Sequence, residues 1–119
     1  MQTTKITMET EKINDRISII NIRGEITAFA ETPLMDAYNR VNTPALGHLV
    51  LDFSHLEYLN SSGIGLLITL LIRTNRQKQK LYATGLSEHY RRIFELTRLN
   101  EAIKIYPDIQ SALAEAGLQ

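Results

Sequence analysis

The feature that most restricts this chain is a junction. A short apolar run of buried-strand type, His48-Leu49-Val50-Leu51-Asp52-Phe53, gives way after a brief connection to Ile64–Arg76, a Pro-free stretch rich in Leu and Ile. The first has the length of a strand covered on both faces, and the second has the length and spacing of a helix. A chain that repeats strand-then-helix folds into helices packed on a sheet. The downstream sequence does repeat it. Leu81-Tyr82-Ala83-Thr84-Gly85 reads as a strand, and Ser87 caps a helix with Tyr90, Ile93, Phe94 and Thr97 on one face. Ile103 to Tyr106 is a short last strand. Pro107-Asp108 then opens a helix with Ile109, Ala112, Leu113 and Ala116 inward and Gly117 as its stop.

Upstream, Ile6, Met8 and Thr10 share one face of a first strand, and Asn14-Asp15 makes a hairpin turn. Ile17, Ile19, Ile20 and Ile22 form a second strand whose partly continuous apolar run predicts a more central place. Thr27 to Thr32 reads as a connection. Thr32-Pro33 starts a helix, Thr as cap and Pro at the first helical position, with Leu34, Ala37, Tyr38 and Val41 on its buried face. Strands joined through helices run parallel and a hairpin runs antiparallel. The expectation is therefore an α/β fold, a mixed central sheet of about five strands packed with about four helices, in one domain over residues 1–119.

Between the third strand and its helix lies Tyr58-Leu59-Asn60-Ser61-Ser62-Gly63-Ile64-Gly65. A helix start presents unpaired N–H groups and the positive end of the helix dipole, and Ser61 or Ser62 can act as its N-cap. Capping alone accounts for these residues; a phosphate placed there is the sharper alternative, because the same features attract an anion. Within the helix, Ile64, Leu67, Ile68 and Leu71 lie on one stripe, while Leu66 and Leu70 project roughly 110–150° away by the 3.6-residue period. Either a further element covers that second side, or it is an apolar docking surface beside the serines. The helix ends in Arg73-Thr74-Asn75-Arg76-Gln77-Lys78-Gln79-Lys80, a basic run without interleaved aromatics, which complements a helix C-terminus rather than nucleic acid.

The run Leu49-Val50-Leu51-Asp52-Phe53-Ser54, a spacer, the Tyr58–Gly65 segment and the Leu-rich helix resemble the STAS domain, the family of bacterial anti-sigma-factor antagonists. The likeness extends from about Lys5 to the last helix. It implies a STAS-type mixed sheet and a non-enzymatic, phosphorylation-controlled protein-binding switch. In that family the first Ser of the Ser-Ser-Gly motif is phosphorylated by a partner kinase; here that is Ser61, with Asn60, Ser62 and Gly63 supporting the loop. On the docking reading of the helix's second side, Leu66 and Leu70 are the candidate partner-surface residues, together with Thr27. The implied partners are an anti-sigma factor serine kinase, which uses ATP and Mg²⁺, and a PP2C-type phosphatase, with the protein itself a monomer or weak dimer. Two positions depart from the family pattern: Asn60 stands where Asp usually precedes the serine, and Thr27 follows Gly24-Glu25-Ile26 where a Gly-x-Leu-Asp turn often ends in Asp. A STAS module of a non-sigma pathway and a nucleotide-sensing STAS domain are the alternatives.

Enzyme motifs are missing. Gly63-Ile64-Gly65 lacks the third Gly of a dinucleotide fingerprint, which is Ile68 here, and no phosphate loop or Gly-x-Ser-x-Gly elbow occurs. His48, His55 and His89 share no metal-ligand spacing, so no metal or cofactor is expected. Asp52 and His55 lie near the serines in sequence, which leaves a hydrolase as a remote alternative, but no oxyanion-hole motif accompanies them; Asp52 is expected to order the loop. Thirteen basic residues balance thirteen acidic ones, so no net field draws nucleic acid or an anionic membrane. Cys is absent, the first five residues lack an apolar signal region, and no apolar stretch is long enough to cross a bilayer. Together these predict a cytoplasmic location.

Overall fold

In the computed structural model, which describes residues 6–118, a five-stranded sheet is laid down in chain order. The strands are β1 (Ile6–Lys12), β2 (Ile17–Ile26), β3 (His48–Leu59), β4 (Lys80–Thr84) and β5 (Lys104–Tyr106). β1 pairs antiparallel with β2, and every later pairing is parallel. Four helices accompany them: α1 (Glu31–Val41), α2 (Ser61–Arg76), α3 (Glu88–Leu96) and α4 (Ile109–Glu115). This is the mixed α/β sheet that the strand–helix alternation predicts. The reading of residues 1–5 as free of an export signal lies outside the described residues.

The two faces of the sheet are covered unequally. Ile20, Ile22 and Ile26 of β2, Leu49, Leu51 and Phe53 of β3, and Ala83 of β4 point to one side. There they meet Leu34 and Tyr38 of α1, Leu67 and Leu70 of α2, and Phe94 of α3. Ile19, Val50 and Tyr82 point to the other side, where Ala112 of α4 closes a smaller cluster. Each fully buried Leu or Ile contributes about 1.5–3 kcal/mol relative to exposure, so the larger cluster carries most of the stability.

Several local expectations hold in detail and others need correcting. α1 buries Leu34, Ala37, Tyr38 and Val41 as its spacing predicts. Ser87 Oγ accepts from Tyr90 N at 3.3 Å, so α3 begins where its cap indicates; α4 starts at Ile109, with Pro107 outside the helix and Asp108 as its cap, Oδ1 accepting from Ser111 N at 2.8 Å. Thr32 is not the cap of α1. A 3₁₀ turn over Ala28–Ala30 precedes that helix, and Thr27 caps the turn by accepting from Phe29 N at 3.2 Å. The helix then starts at Glu31 behind Ala30, without a side-chain cap. Pro33 still falls within the first turn, where its missing N–H costs nothing.

β3 is twice as long as its apolar run. The pairing with β2 slips between Asn21↔Asp52 and Arg23↔His55, and again between Gly24↔Leu56 and Glu25↔Tyr58, so β3 carries extra residues opposite β2. Such bulges break the alternation of side chains, which is why Ser54 to Tyr58 does not read as strand. Beyond Asp52 the strand has lost β4 on its other side and pairs only with β2. At the opposite end of the sheet a buried polar bridge ties α1 to the turn before β4. Tyr38 Oη donates to Gln79 Oε1 at 2.7 Å, and Gln79 Nε2 donates to Asn42 Oδ1 at 2.7 Å.

Candidate functional site

The extended end of β3 delivers the Ser-Ser-Gly segment to the surface. Ile26, the last residue of β2, pairs with Leu59, the last of β3, and Asn60 N donates to Ile26 O at 3.4 Å. On the side that β4 has vacated, Leu59 N donates to the hydroxyl oxygen of Tyr90 on α3 at 3.1 Å. The entry to α2 is thus pinned from both flanks, by a backbone carbonyl on one and a phenol on the other.

The cap of α2 is Asn60, not either serine. Its backbone is extended, and its Oδ1 accepts from Gly63 N at 2.9 Å. An amide oxygen one residue before the serines reaches the same orphan N–H that a serine cap would take. Ser61 is therefore the first residue of the helix, exposed, with its hydroxyl outside the cap; Ser62 is exposed as well. No acidic residue occupies the first turn, so the positive end of the dipole of this 16-residue helix faces solvent at Ser61. Gly63 makes this geometry reachable. A Cβ there would lie 2.1 Å from Ile26 O and 2.7 Å from Leu59 Cδ1, so only glycine lets the helix start against the end of β2. Gly65 is different, since a Cβ on it would meet nothing within 4 Å.

That close approach sets the phase of α2. Its buried row is Gly63, Leu67, Leu70 and Thr74, and Thr74 satisfies its hydroxyl on Leu71 O at 2.9 Å. Leu70, assigned above to the partner surface, has no exposed area and belongs to the core; that assignment is corrected. Leu66 is half-buried against the same core. The solvent side carries Gly65, Ile68, Thr69 and Ile72, with Ile68 and Ile72 42 % and 47 % exposed. The row containing Gly63 was hidden in the sequence by its glycine and threonine, which break the apolar stripe. Thr27 is half-buried where the chain leaves β2, beside the segment it was assigned to. Two residues on, Phe29 is 76 % exposed on the 3₁₀ turn that packs on α2. Phe29 lay in a stretch read as a plain connection, and only its apolar character could have marked it.

The hydrolase constellation does not assemble. Asp52 is buried, and its Oδ1 accepts from Ser54 Oγ at 2.7 Å and from Thr84 Oγ1 at 3.0 Å, with Ser54 N at 3.4 Å, so it orders β3 against β4 rather than serving Ser61. His55, the histidine of that constellation, is exposed on β3 opposite Arg23 of β2, and His48 lies at the far end of the strand, its Nδ1 2.8 Å from Tyr82 Oη. Among the described residues no group of His, Asp and Glu could hold a metal ion, and no helix is long and apolar enough to cross a membrane. An open depression of about 430 Å³ lies between Leu86, Arg91, Ile105, Tyr106 and Pro107; none of its lining residues belongs to the Ser61 segment.

Comparison with known proteins points to one family. The family model for the STAS domain matches residues 9–112. The chain is 27 % identical over 95 residues to an anti-sigma-B factor antagonist of Listeria monocytogenes, covering 80 % of this chain and 82 % of that protein. Among solved structures, an anti-sigma factor antagonist from Mycobacterium paratuberculosis has a TM-score of 0.78 at 26 % identity, with 93 % of each chain covered. A sulfate transporter family protein from Wolinella succinogenes shares the fold, with a TM-score of 0.77 at 16 % identity over 89 % of this chain and 88 % of that one.

Proposed function

The chain belongs to the STAS domain family, and we propose that within it the protein is an anti-sigma-factor antagonist, a protein-binding switch set by phosphorylation of Ser61. The observation that carries this reading is the division of labour at the start of α2. Asn60 holds the helix, so the exposed Ser61 hydroxyl is free for chemistry. The unphosphorylated form captures an anti-sigma serine kinase and so releases a sigma factor. The kinase then transfers the γ-phosphoryl group of Mg-ATP to Ser61 Oγ: an O–P bond forms, the bond to ADP breaks, and the hydroxyl proton passes to a base of the kinase. A PP2C-type phosphatase resets the switch by hydrolysis.

The phosphoryl group acts on the interface rather than on the fold. It adds roughly −1.5 to −2 charge and three acceptor oxygens. At the solvent-facing positive end of α2 that charge is locally favourable, by about 0.3–1 kcal/mol for an exposed anion. A docked partner must strip water from it, and an unpaired charge buried in an interface costs several kcal/mol. A loss of about 3 kcal/mol weakens binding roughly 100-fold, enough to open the switch. The partner surface consists of the ground around Ser61: Thr27, Phe29, Leu66, Ile68 and Ile72.

The test compares wild type with Ser61→Ala, Ser61→Asp and Ser62→Ala for labelling by the native kinase, partner affinity and circular dichroism. Ser61→Ala binds but resists labelling, Ser61→Asp stays folded but binds poorly, and Ser62→Ala is still labelled. A wild-type protein that the kinase does not label would sink the proposal.

A further inference from the structure

The basic run at the end of α2 has no part in the Ser61 switch, from which Arg76 is separated by roughly 20 Å along the helix at 1.5 Å per residue. An open cleft of about 260 Å³ lies there between the last turns of α1 and α2, lined by Tyr38, Asn39, Asn42, Arg73, Arg76 and Gln77. No carboxylate lines it. Arg73 and Arg76 are exposed and one turn apart, and neither enters an ion pair; among the described residues the ion pairs are Lys12–Asp15 and Arg98–Glu101.

The simplest explanation of these arginines is that they complement the negative end of the α2 dipole. Yet four of the carbonyls at these helix ends are already engaged within the chain. Tyr38 O accepts from Asn42 N at 2.8 Å, Arg73 O from Gln77 N at 3.3 Å, Thr74 O from Gln79 N at 2.9 Å, and Asn75 O from Lys78 N at 3.0 Å. The wall on the α1 side is fixed by groups unrelated to that dipole. Gln79 is buried and clamps Asn42 through its Oδ1, and it is itself held by the Tyr38 hydroxyl. With Oδ1 committed, the polar atom that Asn42 has left is its Nδ2 donor. The cleft therefore offers positive charge and amide donors, with no carboxylate among its lining residues.

We infer that this cleft binds a phosphomonoester dianion, gripped by the guanidinium forks of Arg73 and Arg76 and by the Asn42 amide. Guanidinium is the group suited to this, because its planar donors match two phosphate oxygens at once, whereas an ammonium acts as a point charge. The site is independent of Ser61 phosphorylation.

The test is ¹H–¹⁵N NMR titration of the full chain at about pH 7.5, where a phosphomonoester is largely dianionic. The probes are inorganic phosphate, adenosine monophosphate and O-phosphoserine, with sodium chloride at matched ionic strength as reference. The expected result is saturable shifts at Asn39, Asn42 and Gln77 and at the Nε–H groups of Arg73 and Arg76. R73Q/R76Q weakens binding at least about tenfold, with an unchanged thermal midpoint because both side chains are exposed, and R73K/R76K, which keeps charge but not the forks, falls between. A tighter fit for the nucleotide assigns the site to a free metabolite, and a tighter fit for phosphoserine assigns it to a modified side chain. Shifts that merely track chloride, or saturable shifts that survive R73Q/R76Q, would overturn the inference.

Discussion

At the scale of single residues, the start of α2 separates two tasks that the sequence alone left fused. Asn60 supplies the cap and Ser61 supplies the hydroxyl. Asn60→Ala should therefore cost about 1 kcal/mol, the usual loss for an N-cap, while Ser61→Ala leaves the midpoint of chemical denaturation within experimental scatter. Equal losses for the two would return the cap to the serine. The two glycines divide in the same way. Gly63→Ala puts a Cβ 2.1 Å from Ile26 O, so backbone must move and the domain loses about 1–3 kcal/mol or more. Gly65→Ala enters open space in a helix and should stabilise by about 0.5–1 kcal/mol. Urea denaturation of the pair checks both signs.

At the scale of elements, α2 has two apolar faces with different work. Leu70 lies in the core, and Leu70→Ala should cost about 2–5 kcal/mol. Ile68 and Ile72 face solvent, so replacing both by Glu should leave the thermal midpoint nearly unchanged while abolishing kinase capture in a pull-down. Unfolding of that double variant would show that the face is covered within the domain. The contrast also shows what a sequence can disclose. The buried face of α1 and the Ser87 cap were legible because a helix face and a side-chain cap are decided within one or two turns. The phase of α2 was not, because it is set by Gly63 meeting Ile26 from a strand far back in the chain. The full length of β3 was hidden for a similar reason. Its bulges exist only against β2, and its last amide is held by Tyr90, which sits 31 residues beyond it in the sequence.

At the scale of the whole molecule, the face of the sheet closed by α4 carries a group whose titration bears on stability. His48 belongs to the side closed by α4, bonded to Tyr82. Burial, and then the nearby charges of Arg16 and Lys80, lower its pKa from the ordinary 6.5. A histidine whose folded pKa is depressed favours the native state in its neutral form, so its contribution is present above about pH 6.5 and is lost as the pH falls through the folded value. Denaturation midpoints should decline over that window in wild type and decline less in His48→Gln. A further consequence lies in the order of the sheet, in which every strand neighbours the one made just before it. No strand has to be threaded between two already in place, and no partner has to wait for a distant piece of chain. Pairings between consecutive segments keep loop-closure costs low. A polypeptide leaving the ribosome can add each strand to a growing edge, so unfinished lengths of it already have somewhere to dock.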